Sequence, residues 1–381
     1  MTITQRARLY YVFTDYFNGT LLTYLPLFLK EHYHYTGSEL GTILFVAGIF
    51  AIIGILIGPP ITNIFKKEKS TLIIENLLML LAIGTIFMSD NFILVTIATG
   101  LCYLNRMAMY SIGDNLMSDI GNEHGIPFGK FRSFGSIGWG LCFLVNGFLV
   151  IKYPNYFILV WATLCVLAII NLLKLQERKK EEKQANLIDV KTVVEMSSYK
   201  NAIKYLMLVT LLYVPLQTAS SFINFLILEL DGKVEIFSTL TAALVIVEFL
   251  VMFFAHKLRQ RLTDQQYFEL IAILLICKFA IISFATSPIL VYCSALFDPV
   301  IFGMILPFNP SYLKDSVPNR FNATILSFFG IISLIAMALY SKLAGNIMDI
   351  YSTKMVFIVY LGIAILVLVL TKILKIKNHK S

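Results

Sequence analysis

The chain has 381 residues, of which 58% are hydrophobic and only 14% charged, with a formal net charge of +8. A soluble domain of that length does not bury so large an apolar fraction, so composition places the chain among integral membrane proteins. The positive charge is not a nucleic-acid footprint, because lysine and arginine collect in alternate connecting segments, the mark of cytoplasmic loops.

A spanning helix needs about 20 apolar residues. Runs of that kind fall near 9–29, 39–62, 70–88, 92–114, 131–151 and 155–173, then near 204–229, 236–255, 267–285, 289–312, 321–343 and 355–374. The expected fold is all-α and membrane-embedded: twelve transmembrane helices in two six-helix bundles, 1–173 and 204–381, joined by a charged cytoplasmic linker over 174–203. The first run is too long for a cleavable signal, and no small-residue cleavage site follows it. The basic clusters alternate with short polar loops, which sets both termini on the cytoplasmic side of a cell membrane. Two basic hairpins at matching places, GPPITNIFKKEKS (58–70) and FFAHKLRQRLTDQ (253–265), suggest duplicated halves.

Taken in chain order, the polar residues inside apolar runs carry the functional reading. Asp15 and Asn18 lie three apart on the first run and share a face. His32 and His34 in KEHYHY sit in an outer loop without a third ligand, so no metal is expected. Gly58, Pro59 and Pro60 fit the start of a turn. Glu75 lies two turns into the third run, where it can snorkel or pair with loop lysines. Arg106 and Asp114 fall on the fourth run. Arg132 opens the fifth, with Trp139 seven residues on and therefore on the same face of a continuous helix. Glu248, Lys278 and Asp298 follow in the second half, and Pro299 after Asp298 tends to kink its helix.

If Asp15, Arg106, Asp114, Arg132, Glu248, Lys278 and Asp298 all stood unpaired at mid-membrane, insertion would suffer by roughly 20 kcal/mol. They must face a wet cavity or one another. Asp114 and Arg132 form the best-supported site, as an interhelical pair or as ligand contacts, because guanidinium offers a planar fork to a carboxylate or to hydroxyls. Arg106 can pair with Asp15 or Asp114. The five cysteines form no CxxC pair. GSIG at 135–138 lacks the hydrolase elbow spacing, and Gly135, Ser136 and Gly140 suit close helix packing. No phosphate-binding loop is present, which excludes an ATP-driven pump.

Twelve runs, a central linker and paired basic hairpins resemble the major facilitator superfamily. Within it, FGKFRSFGSIGWGLC (128–142), MFFA (252–255), SFATS (283–287), RFNATI (320–325) and LAGN (343–346) are similar, in order, to lactose permease and its oligosaccharide–proton symporter relatives. That resemblance implies a substrate site of Asp114, Arg132 and Trp139, with Asn18 and Tyr110 lining it; Asp15, which the family pattern does not supply, is either a further lining acid of the substrate site or a solvated acid near the cytoplasmic mouth. The resemblance also implies a proton-coupling set of Asp298, Glu248 and Lys278, and a latch in the loop at Gly58 and Asn63. The family's proton-carrying glutamate corresponds here to Ile301, and its paired acids and lysines to Leu216, Ala219, Leu334 and Ala295, so galactoside specificity is not implied. The implied function is secondary transport by alternating access, with symport of a sugar or related hydroxylated solute driven by the proton gradient, no cofactor and no catalytic residue. The partners are the solute, protons and the bilayer, with no nucleic acid. A nucleoside, an organic anion or a drug is the alternative cargo. A membrane-embedded lipid enzyme is the rival class, for which no nucleophile–base or metal constellation is found.

Overall fold

The computed structural model describes residues 2–65, 67–175, 195–196 and 198–377, with the side chains of 58–65 and 323 outside the described set. Residues 176–194 and 197 of the expected linker therefore fall outside the described residues. The helices of the first half are α1 (Ile3–Gly19), α2 (Leu25–Tyr33), α3 (Gly37–Phe65), α4 (Glu68–Met88), α5 (Phe92–Glu123), α6 (Gly129–Arg132), α7 (Gly135–Lys152) and α8 (Pro154–Leu173). Those of the second are α9 (Lys200–Glu229), α10 (Val234–Arg261), α11 (Asp264–Ser283), α12 (Pro288–Ser294), α13 (Phe297–Asp315), α14 (Asn322–Ile350) and α15 (Thr353–Leu374).

Among the described residues, eleven helical segments are long and apolar enough to cross a membrane. The rod from Ile3 to Tyr33 supplies the twelfth, broken by a wide π turn over Thr20–Tyr24. Pro26 explains that turn: its ring nitrogen cannot donate, so the backbone widens to a bond from Leu25 N–H to the Thr20 carbonyl. Side chains such as Leu81, Ile93, Ile246, Phe253 and Ile373 stay largely exposed on the helix faces. Apolar surface of that extent fits hydrocarbon, and closed helices are what satisfy the backbone there.

Two compact units result, Met1–Ala185 with Ser341–Gly345, and Asn186–Tyr340 with Asn346–Ser381. In the first, α1 packs on α7, α3 on α5, and α4 against both α5 and α8. In the second, α10 packs on α13, while α15 packs on α9 and α11. Capping boxes start α1 (Thr2 with Gln5) and α11 (Thr263 with Gln266), and the side chains of Asn91 and Ser352 cap α5 and α15.

One span in each unit is interrupted beside a charged residue. Between α6 and α7 the backbone tightens to three-residue bonds, Phe134 N–H to the Phe131 carbonyl and Ser136 N–H to that of Ser133. Between α12 and α13 the same happens, with Leu296 N–H to Cys293 and Asp298 N–H to Ala295. Pro299 accounts for the second interruption, since it cannot donate to the Ala295 carbonyl.

The second basic hairpin is an ion network. Arg259 Nε lies 3.2 Å from Asp264 Oδ1, its Nη1 donates to Ser311 Oγ at 2.7 Å, and its Nη2 lies 3.5 Å from Asp315. It ties the α10–α11 connection to the end of α13. In the first hairpin α3 continues to Phe65, so the turn expected at Gly58 is not there. The side chains of Gly58, Asn63 and their neighbours lie outside the described residues, and the latch reading stays an expectation.

Candidate functional site

The first unit gathers polar side chains from α1, α5 and α6. Arg132 Nη1 donates to Asp15 Oδ2 at 2.6 Å. The Tyr110 hydroxyl donates to the other Asp15 oxygen at 2.5 Å. The Arg132 guanidinium lies 4.9 Å from the Tyr110 ring centre and 5.3 Å from that of Tyr11, so two phenol faces flank the cation. The Tyr11 hydroxyl in turn donates to Asp114 Oδ1 at 2.7 Å. Arg106 Nε donates to Asn18 Oδ1, and its guanidinium lies 5.8 Å from the Tyr103 ring.

This geometry changes the expected pairing. Arg132 meets Asp15, not Asp114, and Arg106 meets neither acid but the amide of Asn18. The reason lies in the approach of α1 to α7. A side-chain carbon at Gly135 would stand 1.8 Å from Asp15 Oδ2, and one at Gly138 would stand 2.1 Å from the Val12 carbonyl. Only glycine lets Asp15 come that close. Gly138, which the sequence reading passed over, shares this role with Gly135, whereas Ser136 is exposed.

Trp139 also departs from expectation. The interruption at Ser133–Phe134 separates α6 from α7, so the two-turn spacing from Arg132 does not run along one continuous helix. The indole packs edge-on to Phe143 at 5.8 Å and stands beside Gly19, half-buried. Tyr11 is the residue missed from sequence. Its spacing of four from Asp15 and seven from Asn18 was the available signal, a stripe along one face of α1.

The second unit brings Lys278 of α11 to Asp298 of α13 as a hydrogen-bonded ion pair. Lys278 is 3% exposed and Asp298 21%. Glu248 on α10 stands in electrostatic range of Asp298 and makes no hydrogen bond or ion pair among the described residues. The cluster thus holds one cation and two carboxyl groups, with Lys278 paired to Asp298. Nearby on α9, Gln217 Nε2 donates to the Tyr213 hydroxyl at 2.6 Å, a polar pair the sequence reading did not single out.

Two other residues singled out in the sequence have definite surroundings. The His32 ring stacks on Phe28 at 4.9 Å, and among the described residues no three His, Cys, Asp or Glu side chains are grouped to hold a metal ion. Glu75 does not snorkel. It is 8% exposed, on the same inward stripe of α4 as Leu72, Asn76 and Met79, and its Oε2 has no partner.

The sequence description of the Major Facilitator Superfamily matches residues 9–341. The chain belongs to that superfamily. It is 21% identical over 360 residues to the uncharacterized transporter YwbF of Bacillus subtilis (strain 168), covering 94% of this chain and 89% of that one. Among solved structures it is similar to the nucleoside transporter NupG, with a TM-score of 0.86 at 13% identity over 99% of this chain and 100% of NupG. It is also similar to a D-xylose–proton symporter, with a TM-score of 0.74 at 15% identity over 99% of this chain and 98% of the symporter. At such identities these likenesses show the fold alone. A superfamily transporter moves a small molecule across the bilayer, and its polar interior groups are read in that light.

Proposed function

We propose that this chain is a proton-driven symporter of a small hydroxylated solute, a sugar or a nucleoside, working by alternating access in the cell membrane with both termini cytoplasmic. The observation that carries the reading is the charge count around Asp298. With Glu248 and Asp298 both ionised, Lys278 leaves one negative charge uncompensated in a water-poor setting, and a single proton neutralises it. That is the chemistry of a coupling site, and it needs no cofactor. The first unit has the complementary inventory. Asp15, Asp114, Arg106, Arg132 and Asn18 supply donors and acceptors for hydroxyls, while Tyr11, Tyr110 and Trp139 supply ring faces for the apolar side of a sugar or base.

The test is accumulation in reconstituted vesicles. An inward proton gradient is expected to concentrate the cargo above the outside level, and an ionophore that collapses the gradient is expected to reduce this to equilibration. Accumulation that persists without the gradient would remove the proton from the reading. A ligand-protection screen over sugars, nucleosides and carboxylates names the cargo.

A second reading rests on Arg106. Its partners are an amide and an aromatic ring, with no carboxylate, so it is a cation without a counter-charge in its own contacts. That favours an organic anion as cargo, and protection by carboxylates but not by neutral sugars would select it.

A further inference from the structure

The coupling reading leaves the buried acid Glu75 unused. Glu75 sits on α4 with 8% exposure. Its Oε2 has no hydrogen-bond partner, and no ion pair to it exists among the described residues. The groups around it are neutral or amide. On α4 itself, Asn76 is fully buried with Oδ1 unpartnered, while its backbone carbonyl accepts from Cys165 Sγ of α8 at 3.3 Å. Cys102 of α5 stands in range of Cys165, which places the three in one layer. Three residues on from Cys102, Asn105 is 1% exposed with both Oδ1 and Nδ2 unpartnered. From α1, the Tyr10 hydroxyl donates to the Met109 carbonyl, one turn from Asn105, and Tyr10 lies in electrostatic range of Glu75.

The titratable group in electrostatic range of Glu75 is Tyr10 of α1, while Cys165 of α8 reaches the backbone of the adjoining Asn76 and lies in range of Cys102 of α5. The described side chains of α3 offer none in this layer. Lys69, near the start of α4, is engaged with the Leu175 carbonyl. A buried carboxylate with no cation and no donor is far more costly than the neutral acid.

We propose that Glu75 is a proton-binding site inside the first bundle, separate from the Lys278–Asp298–Glu248 triad, which holds its proton as a buried carboxylic acid with no cation to pair with. Asn105 adjoins Arg106 in sequence, and Tyr10 adjoins Tyr11, so this layer backs the wall that carries the candidate cargo groups. Releasing the proton puts an unpaired charge between α4, α5 and α8 and loosens that wall. The inference does not depend on the identity of the cargo or on the coupling role of the triad.

The test follows the melting of the purified full-length protein in detergent as pH rises from mildly acidic to alkaline. The wild type is expected to lose melting temperature on alkalinisation. Glu75→Gln and Glu75→Met, both neutral, are expected to melt at least as high as wild type near neutrality and to lose that alkaline fall. Asp298→Asn is expected to keep it, which separates this site from the triad. If both Glu75 variants fail to fold, or melt lower than wild type at every pH, an ionised carboxylate is required and the proposal is wrong. An alkaline fall unchanged in Glu75→Gln also overturns it. So does stabilisation by sodium over potassium that disappears in Glu75→Gln, which would put a monovalent cation in place of the proton.

Discussion

The two candidate sites differ in how they balance charge and in how deeply the paired cation is buried. In the first unit two cations and two carboxylates cancel, and Arg132 keeps 38% of its side chain exposed. In the second, one cation faces two carboxylates, and Lys278 keeps only 3%. A balanced, half-exposed cluster can exchange its internal bonds for bonds to a polar cargo without changing its charge. A cluster with one carboxylate in excess around a buried cation cannot change its hydration without cost unless a proton moves. On electrostatic grounds this contrast supports the proposal that recognition lies in the first unit and coupling in the second.

The sharpest way to break that contrast is Lys278→Ala. Removing one member of a buried pair leaves an uncompensated charge, at a cost of about 3–5 kcal/mol. Melting of the purified protein is expected to drop accordingly, and Lys278→Ala combined with Asp298→Ala is expected to recover most of the loss. A single variant as stable as wild type would mean that the pair is wetter than its burial indicates. Next comes Asp298→Asn, which keeps the shape and removes the titrating group. Counterflow exchange is expected to survive while gradient-driven accumulation disappears. Retained accumulation would move coupling to Glu248 or out of the second unit.

Much of this contrast could be read from sequence, and the parts that could not have identifiable causes. The helical spans followed from apolar run length, and the nearness of Lys278 to Asp298 was among the possibilities. The partner of Arg132 was not readable, because it depends on the interruption at Ser133–Phe134 and on two glycines that let α1 approach α7. Run length and periodicity carry neither. Tyr11 escaped notice because an aromatic residue on an apolar helix reads as packing until its hydroxyl is seen to face a carboxylate. Glu75 was misplaced because distance from a helix end does not say which face a residue occupies. Its neighbours on the stripe, Leu72, Asn76 and Met79, are what turn it inward.

The first unit offers smaller effects, as its exposure requires. Asp15→Asn removes the charge opposite Arg132 but keeps an acceptor. The pair is half-exposed on the arginine side, so the stability loss is expected to be about 1 kcal/mol or less. The cargo effect is expected to be larger than the stability effect, at roughly tenfold in apparent affinity, which corresponds to about 1.4 kcal/mol. Equal losses in both would make Asp15 a structural residue only.

Tyr11→Phe is the mildest change and the most discriminating within the first unit. The ring that flanks Arg132 at 5.3 Å is kept, and only the hydroxyl bonded to Asp114 at 2.7 Å is lost. A hydrogen bond of this kind contributes about 1 kcal/mol net, and Asp114 is only half-buried, so water can replace part of it. Melting is therefore expected to fall by less than for Asp15→Asn. If the phenol serves to aim Asp114 at cargo, affinity falls several-fold and Asp114→Asn adds little to it, because both changes act through one oxygen. If the two losses instead add fully in a double-mutant cycle, Asp114 meets cargo without help from Tyr11. The stripe of Tyr11, Asp15 and Asn18 on α1 would then divide into separate contacts instead of acting as one surface.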